Sequence, residues 1–120
     1  MVYLALIHTK MKVEQKGHTT VLKHTLNNVE AFVEKITNQY HEFQNQNLIL
    51  DLSQAKEVTD SCLLYFKDFS KNHTKAKKSV IIVTDKVDID KIPDYLNVVP
   101  SVLEAHDMIE MDEIERDLGF

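Results

Sequence analysis

The chain has 120 residues, a net charge of −5, one cysteine, two glycines and two prolines, where average composition would supply roughly eight glycines and six prolines. Glycine-rich phosphate loops and nucleophile elbows need several positions with φ > 0, so Walker A, G-x-G-x-x-G and G-x-S-x-G chemistry is excluded. At 43% hydrophobic and 28% charged, the chain reads as one soluble domain large enough to bury about two thirds of its unfolded surface; its lone Cys62 excludes an internal disulfide framework and fits a reducing, cytoplasmic setting.

Val2 to Ile7 is an apolar run of six residues, too short for a secretory core or a membrane span. Residues 1–10 are expected to be either an extra strand or an extension ahead of a domain that opens at Met11. Met11 to Gln15 and Thr19 to His24 flank Lys16-Gly17, which predicts a hairpin. Asn27 or Asn28 caps a helix in which Val29, Phe32, Val33, Ile36, Tyr40 and Phe43 share one face. Leu48 to Leu52 reads as a buried strand. A second helix starts near Asp60 and carries Cys62, Tyr65, Phe66 and Phe69 inward, and Val80 to Val83 forms another buried strand, parallel and adjacent to the first.

The last third predicts a polar turn over Asp85 to Asp90 and a short helix over Lys91 to Leu96, with Pro93 in its first turn. Asn97 to Val99 follows as an edge strand ended by Pro100. Ser101 and Glu104 fit a capping box opening a final helix to about Leu118, with Gly119 as its C-terminal cap. An opening hairpin followed by alternating helices and strands implies an α/β domain with a mixed sheet and a long C-terminal helix. Residues 11–111 form the domain in this reading, and 112–120 the acidic end of the helix.

Leu48-Ile-Leu-Asp-Leu-Ser53, Val58-Thr-Asp-Ser-Cys-Leu-Leu64, the strand Val80 to Val83 and Val98-Val-Pro-Ser-Val-Leu-Glu-Ala105 together resemble the STAS domain, the fold of bacterial anti-sigma-factor antagonists. The likeness spans about residues 11 to 110 in element order, with its specific motifs in the central third. In that family a strand ending Asp-Leu-Ser precedes Asp-Ser-(Ser or Thr)-Gly-Leu, whose first serine is phosphorylated by a partner kinase. The resemblance makes Ser61 the phosphorylation candidate and Asp60, Ser61, Cys62 and Leu63 a partner-docking segment. Cys62 and Leu63 depart from the pattern, and Leu63 is expected to place bulk where the family's glycine admits a partner. A structural reading shares the site, in which Asp60 or Ser61 caps the second helix. A phosphate there would meet free helical N–H donors and repel an acidic partner surface.

Seven acids (Glu104, Asp107, Glu110, Asp112, Glu113, Glu115, Asp117) stand against Arg116 from Glu104 onward, while the preceding residues hold 12 acids and 13 bases. The densest basic stretch is Lys71, Lys75, Lys77 and Lys78, a solvated connection rather than a nucleic-acid stripe; neither nucleic acid nor membrane insertion is expected. Met108, Met111, Ile114 or Glu115, and Leu118 recur at helical spacing, beside a stripe of Val102, Ala105 and Ile109 that packs on the sheet. Ile114, Leu118 and Phe120 are expected to form an apolar strip edged by acids, suited to partner docking or self-association.

The closing residues also resemble those of short bacterial STAS-like proteins often named ribonuclease Z. Zinc hydrolases of that name need clustered ligands, and the six histidines (His8, His18, His24, His41, His73, His106) are all at least six positions apart. Cys62 reads as a small core residue ahead of a nucleophile, and Asp85, Asp88, Asp90 and Asp94 as turn and cap residues ahead of a calcium loop. No catalytic residue, cofactor or metal is assigned. The function that follows is a non-enzymatic interaction module of anti-sigma-factor-antagonist type, docking on an anti-sigma factor or kinase-like protein. The alternatives are a STAS accessory subunit of a lipid-transport ATPase and, disfavoured, a ribonuclease Z-type hydrolase.

Overall fold

The computed structural model describes residues 11–24, 28–55 and 58–119; residues 1–10, Asn27 and Phe120 lie outside them. Strand β1 (Met11–Lys16) turns back through Gly17 and His18 into the antiparallel β2 (Thr19–His24), and Gly17 supplies the left-handed conformation at φ +60°. Asn28 accepts the Ala31 N–H and caps α1 (Val29–Asn38), which buries Val29, Phe32 and Ile36. The helix stops at Asn38, and a 3₁₀ turn (Tyr40–Glu42) carries Tyr40 and Phe43 onto the same core. The apolar spacing thus outlasts the helix itself.

Strands β3 (Asn47–Asp51), β4 (Val80–Val83) and β5 (Asn97–Val99) complete a sheet in the order β1-β2-β3-β4-β5. Among the described strands only the β1–β2 pair is antiparallel; β3 and β4 are parallel neighbours as expected. Every residue of these two strands is buried, because both sheet faces are covered. On one face, α1, α2 (Lys67–Lys75) and the 3₁₀ turn that leads into α2 cover Leu22, Leu48, Leu50, Val80 and Ile82 with Phe32, Leu63, Phe66 and Phe69. On the other, α3 (Val102–Asp117) sets Ala105 and Ile109 against Val21, Ile49, Ile81, Val83 and Val99.

Two expected elements differ. The second helical segment opens as a 3₁₀ turn (Cys62–Phe66) before α2. Three residues per turn rotate Leu63 and Phe66 inward and leave Tyr65 half exposed, where an α-helix would have turned Tyr65 in. No helix forms over 91–96. A 3₁₀ turn (Ile89–Lys91), capped by the Asp88 carboxylate on the Asp90 N–H, is followed by Ile92 in extended conformation at ψ 134°. Pro93 disfavours the helical region for the residue before it, so the chain resumes as a turn in which the Leu96 N–H reaches the Pro93 carbonyl.

Scarcity of glycine shows at the end of α2. Lys77 takes the left-handed position after the helix, at φ +63°, a conformation that glycine adopts without strain. Gly119 plays the expected part after α3, at φ +82°, with its N–H on the Arg116 carbonyl. At the other end of α3 the Ser101 hydroxyl accepts the Glu104 N–H and donates to the Glu104 carboxylate, a variant of the expected capping box.

Two of the described histidines are buried in the α1–α2 layer. His73 lies between the Tyr40 hydroxyl and the Gln46 carbonyl, each 2.6 Å from a ring nitrogen. A carbonyl only accepts, so Nε2 carries the proton and Nδ1 accepts from Tyr40. His24 stacks on Phe32 at 4.6 Å, with Nε2 lacking a partner among the described residues. Burial lowers the pKa of both from the usual 6.5; at His73 the Gln46 contact opposes the shift and Lys78 adds to it. Both therefore bind fewer protons folded than unfolded between the lowered values and 6.5. Stability is full above about pH 6.5 and is lost as pH falls below it. Urea unfolding across this range should show that fall. His24→Leu should shrink it without lowering stability at neutral pH, because it removes a buried polar atom that has no partner among the described residues.

Candidate functional site

The segment joining β3 to the second helical element leaves the sheet at the C-terminal ends of its parallel strands, the edge where open α/β sheets present their sites. Asp51 ends β3 with its carboxylate accepting the Ser53 N–H at 2.9 Å, which bends the chain out of the sheet. Lys86, after β4, donates to the Ser53 carbonyl at 3.0 Å and lies 3.7 Å from Asp85. The two strand exits are thereby clipped together.

Thr59 performs the capping that Asp60 or Ser61 was expected to perform. Its carbonyl and its hydroxyl both accept the Cys62 N–H, at 3.1 and 3.2 Å, and the hydroxyl lies 3.2 Å from the Cys62 sulfur. Ser61 is exposed and makes no side-chain capping bond, while Asp60 is half buried. Cys62 is half buried and packs against the core, in keeping with a packing role. Leu63 has no exposed surface and belongs to the core. This corrects its assignment to a docking surface: the bulk at that position fills the space beneath the helix.

A second constellation, unforeseen from sequence, lies at the opposite end of the sheet. Asn47 and Ser79 are buried where β3 and β4 begin. The Asn47 side-chain carbonyl accepts from the Ser79 N–H and Arg116, and its amide donates to Glu113. The Ser79 hydroxyl donates to Asp112 at 2.7 Å and accepts from Arg116 at 3.2 Å. These contacts turn the charged side of α3 toward the protein, and Met111, Ile114 and Leu118 outward, each more than half exposed. Partners 33 to 69 residues apart leave no local pattern; only the unusual polarity of Asn47 and Ser79 beside apolar strands hints at it.

Asp88 acts as a turn cap. Among the described residues, no three His, Cys, Asp or Glu side chains converge to hold a metal, and no helix is long and apolar enough to cross a membrane.

Comparison with family models and with curated proteins returned no match. Among solved structures, a Thermotoga maritima protein described as a candidate anti-sigma factor antagonist aligns with a TM-score of 0.63, over 86% of this chain and 97% of its own, at 14% identity. The hairpin, parallel crossovers and C-terminal helix form a STAS-like α/β fold.

Two stability measurements separate the roles assigned here. Thr59→Ala should cost about 1 kcal/mol through loss of the cap, while Ser61→Ala stays within about 0.5 kcal/mol. Asn47→Ala should cost about 2–3 kcal/mol by stranding buried partners, while Leu118→Ala stays within about 0.5 kcal/mol. A large loss at Leu118 would mean that its side chain packs on the domain.

Proposed function

We propose that the chain is a non-enzymatic protein-interaction module of the anti-sigma-factor-antagonist type, docking through the segment around Asp60, Ser61 and Cys62. The observation that carries this reading is Ser61 itself: an exposed hydroxyl that the helix does not use, since Thr59 caps it, at the motif position of a STAS-like fold. Support for a protein partner comes from the fold and from what its Thermotoga maritima neighbour is described as.

Phosphorylation of Ser61 in this reading adds about −1.5 to −2 charge beside Asp60. The Cys62 N–H is already held by Thr59 and the Leu64 N–H by the Ser61 carbonyl. The phosphate therefore acts chiefly by changing the charge of the docking surface, with little effect on helix geometry. Affinity purification with the unmodified chain, Ser61→Ala and Ser61→Asp tests this. Recovery of a kinase-type anti-sigma factor with the first two, reduced about tenfold or more with Ser61→Asp, is the expected result. Unchanged recovery in Ser61→Asp would remove the switch, and capture of a transporter ATPase in its place would support the lipid-transport accessory reading.

A further inference from the structure

The outward side of α3 carries a surface that the Ser61 segment does not explain. Leu103, Met111, Ile114 and Leu118 are between 53% and 72% exposed. At 100° per residue the last three fall within one narrow stripe, with Leu103 on its edge. Glu104 and Glu115 line one side of that stripe, Glu110 and Asp117 the other, and Asp107 lies within it; all five are exposed. Arg116, the one Lys or Arg of the helix, is turned inward onto Ser79 and Asn47. From Met111 onward the outward face is thus apolar along its middle, and its margins are uniformly acidic.

Rotation of the helix is fixed by its polar side. Ala105 and Ile109 pack on the sheet in the first half, but beyond them the contacts to the domain come from Asp112, Glu113 and Arg116. Rolling the apolar stripe inward would break this network and strand Asn47 and Ser79 in the interior. The stripe is therefore held out, along a helix about 24 Å long by the rise per residue.

The geometry points to a basic amphipathic helix of a protein partner as the occupant of this face, its apolar residues on Met111, Ile114 and Leu118 and its lysines or arginines along the two acidic margins. Charge decides between this and a second copy, because pairing two such faces would oppose five carboxylates with five. A partner of opposite sign also gains from the concentration of the chain's negative charge in this one helix.

Three synthetic, fluorescein-labelled helices of about four turns serve as probes: one with a leucine face and lysine margins, one with the lysines kept and the leucines changed to serine, and one with a leucine face and glutamate margins. Anisotropy titration should show binding of the leucine–lysine helix, at least about tenfold tighter than the serine–lysine helix, and no binding of the glutamate helix. Ile114→Asp/Leu118→Asp should weaken the first by about tenfold or more. Both side chains are already mostly exposed, so circular dichroism should remain unchanged; if it does not, Glu110→Lys/Asp117→Lys should give the same loss. Ser61→Asp should leave this binding intact, which separates the result from the fate of the Ser61 reading. Absence of binding, equal binding of the serine–lysine helix, unaltered binding by the folded variants, or sedimentation as a dimer abolished by those variants would overturn the proposal.

Discussion

His73 has no exposed surface, yet both ring nitrogens are matched, one by the Tyr40 hydroxyl and the other by the Gln46 carbonyl. The three residues belong to α2, to the turn after α1 and to the entry of β3, so one neutral imidazole ties both helices of that layer to the central strand. Tyr40 and Phe69 pack edge to face beside it at 5.5 Å, and the Thr20 hydroxyl donates to the Gln46 side chain. The next residue, Asn47, anchors the other layer through Ser79, Glu113 and Arg116. Residues 46 and 47 are thus where both coverings of the sheet are pinned, and the pins are directional hydrogen bonds that fix rotation as apolar packing alone does not.

That concentration at one end gives the domain a polarity. The N-terminal ends of β3 and β4 are held by the His73 and Asn47–Ser79 networks, whereas their exits are joined by the exposed Lys86 clip, and the Thr59 cap acts only within the segment that follows β3. The docking segment proposed around Ser61 would gain from this division. It projects from a fixed frame, and a change in its surface charge does not disturb the buried contacts that maintain the fold.

Much of the frame was legible because it rests on local signals. Gly17 between two short strand-like segments defined the hairpin, and the four-residue run Val80–Val83 announced a strand covered on both faces. The departures have equally local causes. Leu63, Phe66 and Phe69 are spaced by three and fit a 3₁₀ start, but the neighbouring Cys62, Tyr65 and Phe66 offered a competing α-helical stripe. Pro93 suits a helix start, yet it drives Ile92 into the extended region. Ser61 was legible as a motif position; that its hydroxyl stands clear of the cap depends on Thr59, two residues earlier.

The acidic helix shows where local reading ends. Asp112, Glu113 and Arg116 read only as members of an acidic helix end, because nothing near them in sequence marks Asn47 and Ser79 as their partners. Folding brings these residues together and reverses the ordinary order of an amphipathic helix, putting the polar side in and the apolar side out over its second half. Burying the stripe of Met111, Ile114 and Leu118 against the sheet would yield the usual gain per unit of apolar area, but would turn Asp112, Glu113 and Arg116 out to water and leave several hydrogen-bonding groups of Asn47 and Ser79 unmatched in the interior. Each such group costs about 1–3 kcal/mol, against about 1.5–3 kcal/mol for fully burying a large aliphatic side chain. The polar anchorage holds because its groups are satisfied together, and the exposed stripe is the consequence of that choice of rotation.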